Sequence, residues 1–365
     1  MKQKETLASP YTKFFVPEMD ISKPGALKMR KKIDNALRML YYREARCKME
    51  RLLEEARPDI AHLHNIYHHI SPSILAPIKK RNIPIVMTLH DYHLISPNYT
   101  LFHHGKIHEK DARGLHMRCI ANKCVKDSRM YSAVGVVQMI VQQKILKLYK
   151  HVDVFVAPSN FMRDLCIKYG IEKHKIIHIP HPIDTTNVTP YYEDNGYVLY
   201  MGRLSEEKGV DVLAEAAKMT PDINYRIVGS GPLQSALERQ TRGLKNIVFT
   251  GFKTGPALQR ELKQARIVVV PSVWYENYPL SILEAKAAGK VVIASDIGGI
   301  PEMLDTRFLV PAGDARGLAG KLQTWFNEPF AKRRAVGIHN RTQVERMNNP
   351  DLHVNKILDL YKSLL

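Results

Sequence analysis

Short runs of β-branched and aliphatic residues recur along the chain, separated by stretches whose apolar positions fall at helical spacing. The second half carries this alternation most clearly. YVLYMG from Tyr197 reads as a strand, and VDVLAEAAKMT after it as a helix. NYRIVGSGP is strand and turn, LQSALERQTRG a helix closed by Gly243, NIVFTGF a strand and GPALQRELKQA a helix. RIVVVPS, PLSILEAKAAGK and VVIASD continue as strand, helix and strand. Strands that are apolar throughout are buried on both faces, and intervening helices make the parallel crossovers. The pattern predicts an α/β protein with a doubly wound parallel sheet.

The first half repeats the alternation more weakly. DIAHLHN, IPIVMTLHD and VDVFVAPS predict strands, and KIIHIPHPID a further short one. ILAPIKKRN and FMRDLCIKYG predict helices. AVGVVQMIVQQKILKLYK from Ala133 has helical apolar spacing and reads as a core or cleft helix rather than one lying on a membrane. The polar, turn-rich DTTNVTPYYEDNG places a linker near residues 183–196. A length of 365 residues suits two domains. We expect an N-terminal acceptor-side domain over 1–182 and a C-terminal domain over 183–340. A last segment, 341–365, would pack its helix, DLHVNKILDLYKSLL, back on the first domain.

Composition changes this picture in two respects. The chain is 45% hydrophobic and 25% charged, as soluble globular proteins are, and no apolar run approaches the roughly 20 residues of a membrane span. Four cysteines are too few for a disulfide framework, so a reducing, cytoplasmic setting is expected. The net charge of +18 fits phosphorylated substrates or an anionic membrane surface. Its excess is dense from Lys28 to Arg57, where ten basic and five acidic residues share a segment of helical spacing. That segment is either a solvated helix face or a membrane-surface element. No aromatic interleaving, zinc finger or RNA-binding signature supports nucleic acid as a partner.

Three stretches lie where strands end, the position at which open α/β sheets bind ligands. In GRLSEEKG, Arg203 and Lys208 bracket a loop between two glycines, a pattern suited to phosphate oxygens. VGSGP at Val228 permits close backbone approach, although Gly-x-Gly alone is weak evidence. In VPSVWYENYPLSILEA, Pro279 suits a first helical position, so a helix mouth with free N–H groups would open around Tyr278 and Pro279. Glu276 would precede that helix and Glu284 would lie roughly 7–8 Å along its axis. Two acids so placed suit the hydroxyls of a sugar and a ribose flanking a diphosphate. They also fit a loop acid and a helix-dipole residue. His90, ending the strand in MTLHDYH, is either a cleft residue or a satisfied turn histidine.

Taken in order, the run from YMGRLSEEKG through YRIVGSGP and PSVWYENYPLSILEAKAAGK to ASDIGGIPEML resembles the C-terminal domain of the retaining glycosyltransferases of family 4. The likeness is close over residues 197–315. It implies the GT-B fold, two Rossmann-like doubly wound domains facing a cleft. It also implies transfer of a sugar from a UDP- or GDP-type nucleotide-diphosphate donor to an acceptor hydroxyl, with retention of anomeric configuration. By that resemblance Gly202, Arg203 and Lys208 hold the pyrophosphate. Glu276 meets the transferred sugar and Glu284 the ribose. The backbone of Asn277, Tyr278, Pro279 and Leu280 offers N–H groups to sugar and phosphates, and Gly229 and Gly231 border the base. His90 would lie at the sugar, its carbonyl near the cation-like transition state. Glu302 is as much structural as catalytic. The acceptor would be a glycan or lipid-linked, in cell-surface polysaccharide or glycolipid synthesis, with the enzyme peripheral at the inner membrane face. With no Asp-x-Asp in the chain, no catalytic metal or other cofactor is expected.

Two features depart from that pattern. Some relatives with the same His-Asp-Tyr segment carry Cys-x2-Cys where this chain has His108 and Asp111. With Cys119 and Cys124 these could form a zinc set, yet Cys-x4-Cys alone is poor evidence, and two free thiols are expected. The family also opens with a strand and a Gly-Gly loop, whereas the first glycine here is Gly25. The N-terminal domain is therefore expected to be shortened by about one βαβ unit, at least ~30 residues. That leaves open a catalytically silent nucleotide-sugar binder, beside a transferase or a sugar-nucleotide epimerase or phosphorylase of the same architecture.

Overall fold

The computed structural model describes residues 9–17, 29–67 and 69–365. The question of an opening strand or Gly-rich loop falls partly on residues 1–8 and 18–28, outside the described residues. Two parallel sheets organise the chain. The first has four strands in the spatial order Ala61–His64, Ile85–Thr88, Val154–Ala157 and Ile176–His178. The second has six, in the order Leu309–Pro311, Val291–Asp296, Ile267–Val270, Tyr197–Met201, Asn224–Val228 and Ile247–Gly251. The expected α/β class is the observed one, and the reason is local. Ile267–Val270 is buried at every position and Val291–Asp296 at all but its last, so each needs cover on both faces. Helices supply it, giving a core on each side of the six-stranded sheet. A separate core underlies the four-stranded sheet.

Three helices differ from the sequence pattern, the first two through tertiary causes. The basic segment is two helices, Met29–Leu40 and Arg43–Ala56. The break falls at buried Tyr42, whose N–H donates to Ser71 Oγ at 3.4 Å and whose carbonyl accepts from Ser73 Oγ at 3.0 Å. All five acids of this segment are paired: Asp34 with Arg38, Glu44 with Lys48, Glu50 with Arg46, Glu54 with Arg81 and Glu55 with Lys13. The helix expected from Ala133 instead runs Arg129–Met139 and then widens into a π turn over Ile140–Ile145. There Gln142 Nε2 donates to Met39 O at 2.7 Å and Gln143 Nε2 to Leu94 O at 2.9 Å, tying the turn to two other elements. The helix expected to close at Gly243 ends at Gln240, and Gly243, at φ +90°, sits in the turn beyond.

The final helix, Pro350–Lys362, is capped by Asn349, whose Oδ1 accepts from the N–H groups of Asp351 and Leu352. It leaves the second unit and lays Ile357, Leu360 and Tyr361 on Val86, Val156 and Ile179 of the first. No helix among the described residues is long and apolar enough to cross a membrane.

The C-terminal ends of the two sheets face one another, and specific bonds hold them. The Glu302 carboxylate accepts from the N–H groups of Asn160 (2.8 Å) and Phe161 (2.6 Å), at the start of helix Asn160–Lys168. It caps a helix of the opposite unit, where the macrodipole favours an anion. Replacing Glu302 with Ala should lower the free energy of unfolding by about 1 kcal/mol, while Glu302→Gln, which keeps one acceptor oxygen, should lose less. Urea titration of both variants checks this.

Candidate active site

Beneath the facing strand ends lies a cavity of ≈ 360 Å³ on the six-stranded side, and Gly202, Arg203, Lys208, Glu276, Pro279 and Leu280 all line it. Its walls are set by close backbone approach. Gly209 has φ +63°, and a Cβ there would come within 2.0 Å of Pro271 O, so the turn carrying Lys208 presses against the loop leading to Glu276. On the far side, Cβ atoms on Gly298 and Gly299 would meet Glu276 O at 2.4 Å and Asn277 O at 2.0 Å. The Gly299 N–H donates to Glu276 O at 2.7 Å.

Glu276 is thereby held 5% exposed, a carboxylate that needs compensation. Lys208 Nζ lies 2.7 Å and Ser272 Oγ 2.6 Å from its Oε1. The Lys208 ammonium also sits 4.8 Å above the Trp274 ring. Both donors converge on Oε1, so Oε2 is the oxygen open to a ligand hydroxyl.

Pro279 is the N-cap of helix Leu280–Ala287 rather than its first residue, because its ψ of 120° is extended. Pro279 has no N–H, so the donors at the mouth belong to Leu280 and Ser281. Glu284 lies one turn below Leu280 on the same helix face, partly buried, and desolvation raises its carboxyl above the ordinary range. Hydroxyl donors would relieve that cost.

Gly229 and Gly231 are fixed by a different demand. A Cβ on Gly229 would meet Gly202 O at 1.8 Å, and one on Gly231 would meet Leu204 O at 2.3 Å. They let the loop after Val228 lie on the loop after Met201, tied by Leu204 N–H to Ser230 O at 3.0 Å. Tyr278 turns away from the cavity. Its hydroxyl accepts from Asn348 Nδ2 at 3.1 Å, and its ring meets His181 edge-on.

From the opposite sheet, His90 approaches through its backbone: its carbonyl accepts from Asn277 Nδ2 at 2.5 Å, so that oxygen is already engaged across the cleft. The ring nitrogen Nε2 lies 2.9 Å from His64 Nδ1, and the ring stacks on His181 with centroids 5.7 Å apart. Burial lowers the pKa of His90 and His64, and brings His181 down to about 4, so the group is held neutral. His64, His181 and Ser272 were missed from sequence. The two histidines carry the same signal as His90, since His64 ends one strand and His181 follows another.

The expectation of free thiols at Cys119 and Cys124 is corrected. The two are joined as a disulfide, with Cα atoms 5.0 Å apart across the end of the short helix Met117–Ala121. The alternative of a zinc set joining His108 and Asp111 to Cys119 and Cys124 is not what the structure assembles: His108 and Asp111 gather with His103 instead.

Asp91, behind His90, is partly buried near Tyr67 and Tyr149, and desolvation pushes its carboxyl from 3.8 up to about 6. A raised acid weakens the fold where it is ionised. The cost is absent below about pH 4, grows towards pH 6 and is complete above it, reaching on the order of 3 kcal/mol at ~1.4 kcal/mol per pH unit. The stability of Asp91→Asn relative to the parent should therefore rise between pH 4 and pH 7. Urea midpoints at the two pH values check this.

Comparison with known proteins follows the same geometry. The family model "Glycosyl transferases group 1" matches residues 184–343, and "Glycosyltransferase Family 4" matches 30–187. An uncharacterised 42.6 kDa protein of the Klebsiella pneumoniae cps region is 27% identical over 258 residues, 70% of this chain and 61% of that protein. O-antigen chain mannosyltransferase C of Escherichia coli is 27% identical over 257 residues, 62% of this chain and 67% of its own length. The chain thus spans about three fifths to two thirds of these relatives. Among solved structures, Anabaena HepE with UDP and glucose superposes with TM-score 0.63 at 18% identity, covering 87% of this chain and 81% of that one. Sucrose-phosphate synthase of Thermosynechococcus elongatus gives TM-score 0.69 at 19% identity, covering 88% and 77%. With both halves matched in sequence and both sheets in architecture, the chain belongs to the group 1, family 4 glycosyltransferases of GT-B fold.

Proposed function

We propose that the chain transfers a sugar from a nucleoside-diphosphate donor to an acceptor hydroxyl, with retention of anomeric configuration. The observation that carries this reading is the Lys208–Glu276 pair at the mouth of helix Leu280–Ala287: a cation, free N–H groups and a shielded carboxylate share one cavity. Arg203, Lys208 and the Leu280 and Ser281 N–H groups would hold the diphosphate. They would stabilise its negative charge as the glycosidic bond breaks. Glu276 Oε2 and Glu284 would accept from sugar and ribose hydroxyls, and the loop at Gly229 and Gly231 would border the base. His90 and His64 would face the sugar from the acceptor side. The acceptor's proton would pass to the departing phosphate oxygen on the same face, which requires no enzymic base.

HepE, a structural neighbour, is described with UDP and glucose, and a relative is named an O-antigen mannosyltransferase. These support a nucleotide-sugar donor and a saccharide acceptor. The excess of basic over acidic residues from Lys28 to Arg57 favours work beside an anionic membrane surface.

In a thermal-shift panel of UDP-, GDP- and ADP-sugars, one donor class should stabilise the protein. Arg203→Ala should weaken that donor about tenfold or more, the worth of one or two charge-assisted hydrogen bonds. Glu276→Ala should abolish transfer from a labelled donor. An unchanged donor shift in both variants would remove the proposed site, and a labelled 2-epimer formed without acceptor would remove the transferase reading.

A further inference from the structure

A second chemical centre lies on the first unit, outside the donor cavity. Phe102–His103 and Lys106–Ile107 form a tight antiparallel hairpin, turned by His104 and Gly105, both at positive φ. The chain then passes His108 into the single turn Glu109–Ala112. This path brings His103, His108 and Asp111 together, with one ligand-type atom from each within 4.8 Å of the others. The rings of His103 and His108 lie parallel with centroids 3.7 Å apart, and Asp111 is 3% exposed.

Hydrogen bonding inside the protein does not account for this cluster. His103 Nε2 is 3.0 Å from Asp111 Oδ2, which uses one of the two ring nitrogens. His103 Nδ1 is buried with no hydrogen-bond partner among the described residues. Two stacked imidazoles beside a buried carboxylate are poorly explained by one His–Asp bond. The carboxylate is meanwhile oriented from behind: Asn122 Nδ2 donates to Asp111 Oδ1 at 3.0 Å, and His116 Nδ1 lies 3.0 Å from Asp111 O. Outer partners that fix a ligand's orientation are what metal sites require.

We propose that His103, His108 and Asp111 bind one zinc ion. Two neutral imidazoles and a carboxylate suit that borderline cation, with a fourth position left for water. Ligand atoms around tetrahedral zinc stand roughly 3.3 Å apart given bonds of about 2.0–2.1 Å, so side-chain shifts on the order of 1 Å close the site. Cys119 and Cys124, bonded to each other, are not ligands.

The ion has a structural task. Glu109, next to His108, accepts from Tyr169 at 2.7 Å and from Tyr275 at 2.9 Å, and Tyr275 belongs to the opposite unit, one residue before Glu276. At the hairpin tip, a Cβ on Gly105 would lie 3.3 Å from Glu206 Oε1 in the loop that carries Lys208. Zinc on His103, His108 and Asp111 would brace the segment from which these contacts reach the donor side.

The test is a zinc titration of untagged, chelator-treated full chain, with metal content and melting temperature as readouts. One equivalent of zinc should bind and raise the melting temperature, and magnesium should not. His108→Gln and Asp111→Asn should each lose that equivalent while keeping the parent's circular dichroism spectrum. His174→Gln, a change at an exposed histidine, should keep it. The Cys119→Ser, Cys124→Ser double variant should keep it too. Absence of saturable zinc binding, retention of zinc in both His108→Gln and Asp111→Asn, or its loss in the cysteine double variant would overturn the assignment. None of these readouts depends on glycosyl transfer, so failure here is separable from failure of the donor site.

Discussion

Glu276 is a carboxylate taken almost wholly out of water, and much of the surrounding structure exists to make that tolerable. A lone buried carboxylate would protonate or open the site. Here Lys208 and Ser272 both satisfy one oxygen. Lys208 can do so only because the turn ahead of it closes on Pro271, which requires the missing side chain of Gly209. The other wall needs two further glycines, Gly298 and Gly299, laid on the backbone of residues 275–277. The cavity is thus built from backbone proximity first and charge second. This explains why its parts come from four separate strand ends, 201, 270, 296 and, through the loop at Gly229, 228.

The same loops that shape the cavity also bind the two sheets together. Asn277, beside the buried acid, holds the carbonyl of His90, and Tyr275, on its other side, meets Glu109. Glu302, a few residues beyond Gly299, caps the helix of the opposite unit. Loss of order at Glu276 would therefore be felt in the contacts between units, and a shift between units would be felt at Glu276. A shared set of loops gives the groups on the two units a common reference.

How much of this could be read from sequence depended on the range of the interaction concerned. The second sheet was legible because IVVV and VVIASD must be covered on both faces whatever else surrounds them. That Gly202, Arg203, Lys208, Glu276, Pro279 and Leu280 share one cavity was legible because strand ends and the residue types there combine into few arrangements. The break at Tyr42 was not, since it is set by Ser71 and Ser73, about thirty residues away. The π turn over Ile140–Ile145 depends on carbonyls at Met39 and Leu94. Gly229 and Gly231 were visible as glycines, but the oxygens of Gly202 and Leu204 that exclude a side chain there could only be seen in three dimensions. His103 drew no notice because the hairpin that delivers it to Asp111 is only two residues wide on each side.

The returning C-terminal helix has a mechanical consequence. The chain crosses between units twice, once through residues 179–183 and once through 348–350, and the crossings are stitched together. Asn348 Nδ2 donates to His181 O at 2.8 Å, and the Ile183 N–H donates to Asn348 O at 2.9 Å. Two covalent passages fastened side by side act as the spine of a book. Such a spine would favour swinging of the units about that line over twist or slide. Tyr278, bonded to the spine through Asn348, sits beside the start of helix Leu280–Ala287, so the line of the crossings is tied directly to the helix mouth.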